Sequence, residues 1–330
     1  IGYIRLNKFS SVTYREFMEA LEPLKKAGLQ KLILDLRGNG GGILDQAVEI
    51  ADEFLDGDKL ITYTEGKHVD KKEYRCRRNG QFETGKLVVL ADEGSASASE
   101  ILIGALQDWD RATIVGRRSF GKGLVQEQFD LSDKSALRLT IARYYTPIGR
   151  SIQRPYTNGE RAYYDEVSNR YHDPETTYAD SVKNNSGKAY KTKGGKTVYA
   201  KGGIAPDYFI AMDTSGFSKN SAAIYNKSTI SSFAYNFYLQ NQALIKTFKS
   251  PADFIKGFSL SDENWKQFTD AAAKDSINIS IVSAKEKSSL SNQIRSSIAR
   301  QIWRNEGYFE VINTTDEGIK KALEIIETNK

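Results

Sequence analysis

The sequence predicts a layered α/β domain over residues 1–214 and a mainly α-helical domain over residues 215–330. Three observations carry this. Short apolar runs such as KLILDL (31–36) and LVVLA (87–91) read as buried strands. These runs alternate with segments of helical periodicity, as layered α/β domains do. From about residue 217 the strand signals fade and apolar residues recur at helical spacing.

Taken in order, IGYIRL (1–6) reads as a buried strand. A helix over 14–26 follows, with Thr13 and Glu16 at capping-box spacing, Phe17, Leu21 and Leu24 on one face, and Gly28 as the stop. After the strand at 31–36, a glycine turn at 38–42 leads into a second helix, about 44–55, with Ala47, Val48, Ala51 and Phe54 inward. Residues 60–64 and 74–82 read as extended, with Asn79-Gly80 as a hairpin turn and Cys76 as a strand residue. The strand at 87–91 feeds a small-residue turn and a helix to about Trp109, and 112–115, 124–129 and 136–145 read as further strands. A polar insertion, about 156–201, carries weaker helical patterns around Asp165 and Tyr178, and 202–210 returns to an ordered pattern. In the tail, Leu290, Ile294, Ile298 and Ile302 form one stripe; Ile319, Leu323 and Ile326 form another after Thr314 and Glu317 at capping-box spacing.

A chain of 330 residues with 39% hydrophobic content can bury a sizeable core and hold more than one folding unit. A net charge of +5, with both signs interspersed, gives little support to a nucleic-acid partner. The lysines between 183 and 201 sit among Gly, Asn and Ser, as in a solvated loop. No apolar run reaches the roughly 18–20 residues that span a bilayer. Ile1 is not an initiator, so a piece of a longer polypeptide is expected. The single cysteine, Cys76, excludes an internal disulfide and a cysteine-rich zinc cluster, and no metal or cofactor is expected.

The chemistry concentrates in residues 94–126, GSASASEILIGALQDWDRATIVGRRSFGKGLVQ. Neither His68 nor His172 has a nucleophile signature beside it, so nothing local supports a Ser-His-Asp site. A serine hydroxyl can instead be activated by a lysine held neutral by burial and neighbours. Lys122 lies between Gly121 and Gly123, which permit close backbone approach; an exposed turn lysine is the plainer alternative. Ser95, Ser97 or Ser99 could simply cap the helix, Ser97 with Glu100 at capping-box spacing. Unbonded amides at a helix start can also stabilise an oxyanion, and Ala98 would supply one. The DLRGNGGG turn (35–42) could supply a second, although triple glycine also occurs in phosphate-binding turns. No P-loop Lys-Ser or Lys-Thr follows it, and G-x-G-x-x-G spacing is absent.

Together these residues resemble the carboxyl-terminal processing peptidases, or tail-specific proteases. The resemblance rests on GYIRL (2–6), DLRGNGGG (35–42), GSASASE (94–100) with ALQD (105–108), FGKG (120–123) with Gln126, YYTPIGRSIQ (144–153) and GGIAPD (202–207), in order over roughly the first 210 residues. It implies a crotonase-like ββα core and a serine endopeptidase with Ser97 as nucleophile, Lys122 as base and Gln126 orienting the amine. It places the oxyanion turn at Gly41 and Gly42 with Ala98, and supporting positions at Glu100, Asp108, Ser119 and Arg37, the last expected to be structural. The PDZ domain that usually precedes such a core is absent from this sequence, and the tail resembles extensions of Gram-negative, Bacteroidetes-like members. The expected partners are proteins or peptides with unstructured, apolar C-termini, in the periplasm or cell envelope, with self-association or an adaptor role for the tail. A catalytically silent or latent peptide-binding scaffold is the alternative, and an esterase would share the same acyl chemistry.

Overall fold

In the computed structural model, the chain opens as β1 (Gly2–Arg5), α1 (Thr13–Lys26), β2 (Lys31–Asp35), α2 (Leu44–Asp52), β3 (Leu60–Glu65), β4 (Lys72–Arg75) and β5 (Lys86–Ala91). It continues as α3 (Ala98–Asp108), β6 (Thr113–Gly116), β7 (Leu124–Asp130), β8 (Ala136–Tyr145), α4 (Gly159–Arg170), β9 (Ala189–Lys191), β10 (Thr197–Tyr199) and β11 (Tyr208–Phe209). The structure describes residues 1–156, 159–170, 187–200, 202–212 and 218–328. His172 and the helical pattern around Tyr178 lie outside them. The chain divides into two units, Ile1–Met212 with Lys321–Lys330, and Asp213–Lys320.

In the first unit, a five-stranded sheet runs β1-β2-β5-β6-β11 with every neighbouring pair parallel. Parallel neighbours need crossover connections, which is why helices alternate with these strands. Its central strands are covered on both faces, so β2 and β5 read as nearly unbroken apolar runs. Phe17, Leu21, Leu34, Ile50, Phe54, Val89 and Leu102 meet in one core. Ligands in such folds bind beyond the carboxyl ends of the strands. The glycine turn leaves β2, the serine turn leaves β5 and the lysine loop leaves β6, three strands adjacent in the sheet. Segments far apart in sequence therefore emerge side by side.

A second, antiparallel sheet runs β4-β3-β8-β7. It leaves β7 as an edge strand, and beyond Gln126 the β7–β8 ribbon is exposed on both faces. Strands β9 and β10 form a separate antiparallel pair.

Three local expectations are corrected. Helix α1 begins at Thr13, whose hydroxyl accepts from the Ser10 amide at 2.9 Å, and the cap position is Val12; the Thr13/Glu16 capping box does not form. Asn79-Gly80 is not a hairpin turn. Strand β3 pairs instead with β4 through a turn closed by Gly66 N–H to Val69 O, 3.0 Å. Residues 76–85 fold onto the end of α2, where Glu53 accepts from the amides of Gln81 and Phe82, and Cys76 is buried just past β4. A buried acceptor outweighs a local turn preference.

The second unit contains α5 (Lys219–Asn226), α6 (Thr229–Gln240), α7 (Gln242–Ile245), α8 (Pro251–Gly257), α9 (Asp262–Lys274) and α10 (Ala284–Ile312). Ser218, Ser250, Ser261 and Ser283 each cap a helix by accepting the amide three residues on, and Pro251 begins α8. Phe233, Phe237, Phe254 and Phe268 pack with Leu290, Ile294 and Ile298, the stripe expected from spacing. Helix α10 breaks at Trp303 and Arg304, where φ/ψ of 56°/−140° at Arg304 is not helical. The last helix, α11 (Glu317–Glu327), is started by Asp316, which accepts the Ile319 amide at 2.8 Å, so Thr314 is not its cap.

Candidate active site

The serine turn is strained at one residue. Ser97 has φ/ψ of 57°/−115°, a region that costs a non-glycine residue on the order of 1–3 kcal/mol. Ser97 is the N-cap residue of α3, and the pairing with Glu100 expected from the capping-box spacing is present. The Glu100 carboxylate accepts the Ser97 amide at 2.9 Å.

Glu100 is fully buried and takes three further donors: Ser119 Oγ at 2.5 Å, the Gly121 amide at 2.7 Å and the Lys122 amide at 2.8 Å. One carboxylate thus joins the backbone of Ser97 to that of Lys122. Burial pushes its pKa up, and these four bonds pull in the opposite direction. Ser119 Oγ also accepts the Ile204 amide at 2.7 Å, and the Phe120 amide bonds Ser95 O at 2.9 Å, which fixes the lysine loop from both sides. Gly121 has φ of +88°, and a Cβ there would lie 2.8 Å from the Gly202 carbonyl carbon. The loop is built on that close approach.

The glycine turn is tied to the serine turn through Asn39, which is fully buried. Its carbonyl accepts from Ala96 N at 3.0 Å and Ser99 Oγ at 2.8 Å; its side chain donates to Leu6 O and accepts the Gly41 amide at 2.9 Å. Gly41, at φ +92°, lies so close that a Cβ would stand 2.8 Å from Ser97 Cβ and 2.9 Å from Ala98 N. The Gly41 amide is therefore engaged, while among the described hydrogen bonds none takes the amide of Gly40 or Gly42, which also line the cavity.

A cavity of about 560 Å³ opens here, lined by Gly41, Gly42, Ser97, Ala98, Lys122 and Gln126 among others. Among the described hydrogen bonds none joins Ser97 to the Lys122 amine, or that amine to Gln126. Such contacts often close only around substrate. Tyr144, buried and on the cavity wall, donates its hydroxyl to Lys122 O and bonds the Ser97 side chain. Burial and the Glu100 charge hold the phenol well above its ordinary pKa, while the Ser97 bond opposes them. Sequence reasoning missed Tyr144 and Asn39 as site residues. Both lie inside the quoted motif blocks, but their contacts are long-range.

Two expected supporting residues lie elsewhere. Asp108 ends α3, about 15 Å of helix from Ser97. Its buried carboxylate bonds Arg150 at 2.5 Å and the Ile148 amide at 3.2 Å; burial raises its pKa against the pull of Arg150. Arg37 turns back onto Asp35, with Nη2 at 2.7 Å from Oδ2, as a structural clamp. Burial alone would raise Asp35, but Arg37 and Arg5 outweigh it and hold the carboxyl below its ordinary value. Among the described residues no group of three or more His, Cys, Asp or Glu gathers to hold a metal, and no helix is long and apolar enough to cross a membrane.

Residues 1–159 match peptidase family S41, and residues 221–304 match a family of unknown function, DUF8443. A carboxyl-terminal-processing protease of Synechocystis sp. is 44% identical over 155 residues, 47% of this chain and 36% of that protein. A carboxy-terminal-processing protease of Bartonella bacilliformis is 44% identical over 157 residues, 46% of this chain and 36% of the relative. The match thus spans about a third of each relative's length. Among solved structures, the photosystem II D1 C-terminal processing protease is similar at 31% identity and a TM-score of 0.46, over 63% of this chain and 42% of that one. The first 159 residues of this chain belong to peptidase family S41.

Proposed function

We propose that the chain is a serine endopeptidase of the carboxyl-terminal processing type, working through a Ser97/Lys122 dyad. The observation that carries this is Glu100, which holds a strained serine and a lysine loop to one cavity. In this reading neutral Lys122 takes the Ser97 proton as Oγ attacks the scissile carbonyl, then gives it to the leaving amine. The amides of Ala98 and Gly42 hold the oxyanion. Water attacks the acyl-enzyme, Lys122 receives its proton, and Ser97 leaves with that proton restored. Gln126 faces the same cavity and would orient the amine as substrate closes it.

The substrates in this reading are polypeptides with accessible apolar C-terminal tails, paired as a strand on the β7 edge, where main-chain bonding tolerates varied sequences. The first unit is the catalytic core, and the helical unit serves self-association or adaptor binding. The setting is the periplasm or envelope of a Gram-negative cell. Hydrolysis of casein by the wild-type chain, with Ser97→Ala and Lys122→Ala alongside, tests the mechanism. Both substitutions should abolish cleavage. Cleavage that survives either removes the dyad, and a folded wild type that cleaves nothing favours the peptide-binding scaffold.

A further inference from the structure

The β7–β8 ribbon has two unlike faces. Strand register sets Phe129 opposite Leu137 and Glu127 opposite Leu139 on one face, and Gln128 opposite Arg138 and Gln126 opposite Thr140 on the other. The second face borders the cavity that holds Ser97 and Lys122, and Gln128 and Arg138 line its wall. Among the described residues no aspartate or glutamate lines that cavity. None lines its neighbour of about 760 Å³, which shares Leu124 and Gln126 with it.

Arg138 has a neutral partner. Its Nη2 donates to the Gln128 side-chain oxygen at 3.2 Å, and the Gln128 nitrogen in turn donates to Asp130 at 3.2 Å, outside the cavity lining. The other ribbon arginine beside the cleft, Arg143, stands opposite Glu65 in the register. Arg138 is thus a cation presented to the cleft with no carboxylate among the described residues that line it, in a fork geometry suited to one.

We propose that Arg138 is a specificity-determining residue that reads a carboxylate of the bound polypeptide. This rests on the peptidase reading for its substrate class. Gln128, its strand partner, lies six positions after Lys122, so the carboxylate would sit several residues from the scissile bond. The carboxylate belongs either to the chain terminus or to an acidic side chain.

The test separates binding from cleavage. Fluorescein-labelled apolar peptides are titrated by anisotropy into the Ser97→Ala chain: one with a free C-terminal carboxylate, one amidated, and an amidated set with a single glutamate moved along it. Peptides with a carboxylate in reach should bind about fivefold tighter than the neutral amide, the size expected of a solvent-accessible ion pair, and the gap should shrink with salt. Adding Arg138→Gln should bring the arms to parity, Arg138→Lys should keep part of the preference, and Arg138→Glu should invert it in favour of the neutral amide. The free-acid and glutamate arms identify the source. A preference unchanged in Arg138→Gln, no preference, or no binding of any peptide overturns the proposal. Preference without cleavage by the Ser97-intact chain would instead sink the peptidase reading and leave the subsite standing.

Discussion

Replacing Gly41 by alanine tests whether the glycine turn positions Ser97. The new Cβ would stand 2.5 Å from Ala96 O, 2.8 Å from Ser97 Cβ and 2.9 Å from Ala98 N. Carbon atoms settle at roughly 3.5 Å, so the serine turn must move by about 0.7 Å. A misplacement of about 1 Å can cost on the order of 10²-fold in rate. The substitution also places alanine at φ +92°, a strain of roughly 1–2 kcal/mol. Gly28→Ala is the control. At φ +84° with nothing within 4 Å, it carries similar backbone strain without a collision. Both variants should lose a few degrees of Tm, since about 1 kcal/mol corresponds to roughly 2–4 °C in a domain of this size. Only Gly41→Ala should lose about a hundredfold in kcat/KM on a fluorogenic peptide. A Gly41→Ala rate within threefold of Gly28→Ala would refute the positioning argument.

Glu100→Gln turns one acceptor oxygen into a donor facing two other donors. Two of four bonds are lost, roughly 3–6 kcal/mol at about 1.5–3 kcal/mol each, so Tm and peptide hydrolysis should fall together; retention of both would show that the clamp is dispensable. Tyr144→Phe removes the hydroxyl that meets Ser97 and Lys122 O, and should lower kcat about tenfold with KM little changed; a change confined to KM would place Tyr144 in substrate binding. Burial would raise the Glu166 carboxyl, but Arg170, Arg118 and Arg154 outweigh it and hold it at about 2. A depressed carboxylate stabilises above its unfolded pKa, so α4 should loosen from the Ser119–Phe120 backbone, which Arg170 holds, as pH falls from about 4.5 toward 2. Amide exchange over 159–170, corrected for intrinsic rate, should rise across that window, and unchanged protection would count against the cluster. Burial pushes the Cys76 thiol up to about 12, so the native chain should resist thiol reagents until unfolded, and prompt labelling would contradict that burial.

Periodic and punctuating features are the legible part of this fold. Strands buried on both faces must be apolar along their length, and each crossover helix must show its stripe, so the α/β alternation and the later helical unit follow from spacing alone. The cavity residues also stand in short motifs, because a turn that brings amides to a hydroxyl needs small residues. What spacing misreads are groups with competing partners. Asn79-Gly80 carries a hairpin signal, yet Glu53 supplies acceptors that hold Gln81 and Phe82 elsewhere. Thr13 and Thr314 sit at cap spacing, but Val12 and Asp316 occupy the cap positions. Asp108 follows the serine motif closely in sequence, and eleven residues of helix carry it to Arg150 instead. Tyr144 reaches Lys122 across 22 positions, which no local pattern encodes.

Glu100 ties the start of α3 to the chemistry of the site. Here the positive-φ backbone at Ser97 is held by the carboxylate three residues on, which takes the Ser97 amide. The strain, of order 1–3 kcal/mol, is smaller than what four bonds to a buried carboxylate can offset. The same carboxylate holds the Lys122 backbone, so one group keeps the serine strained and sets the lysine loop beside it. A carboxylate that merely capped the helix would need only the first of those contacts.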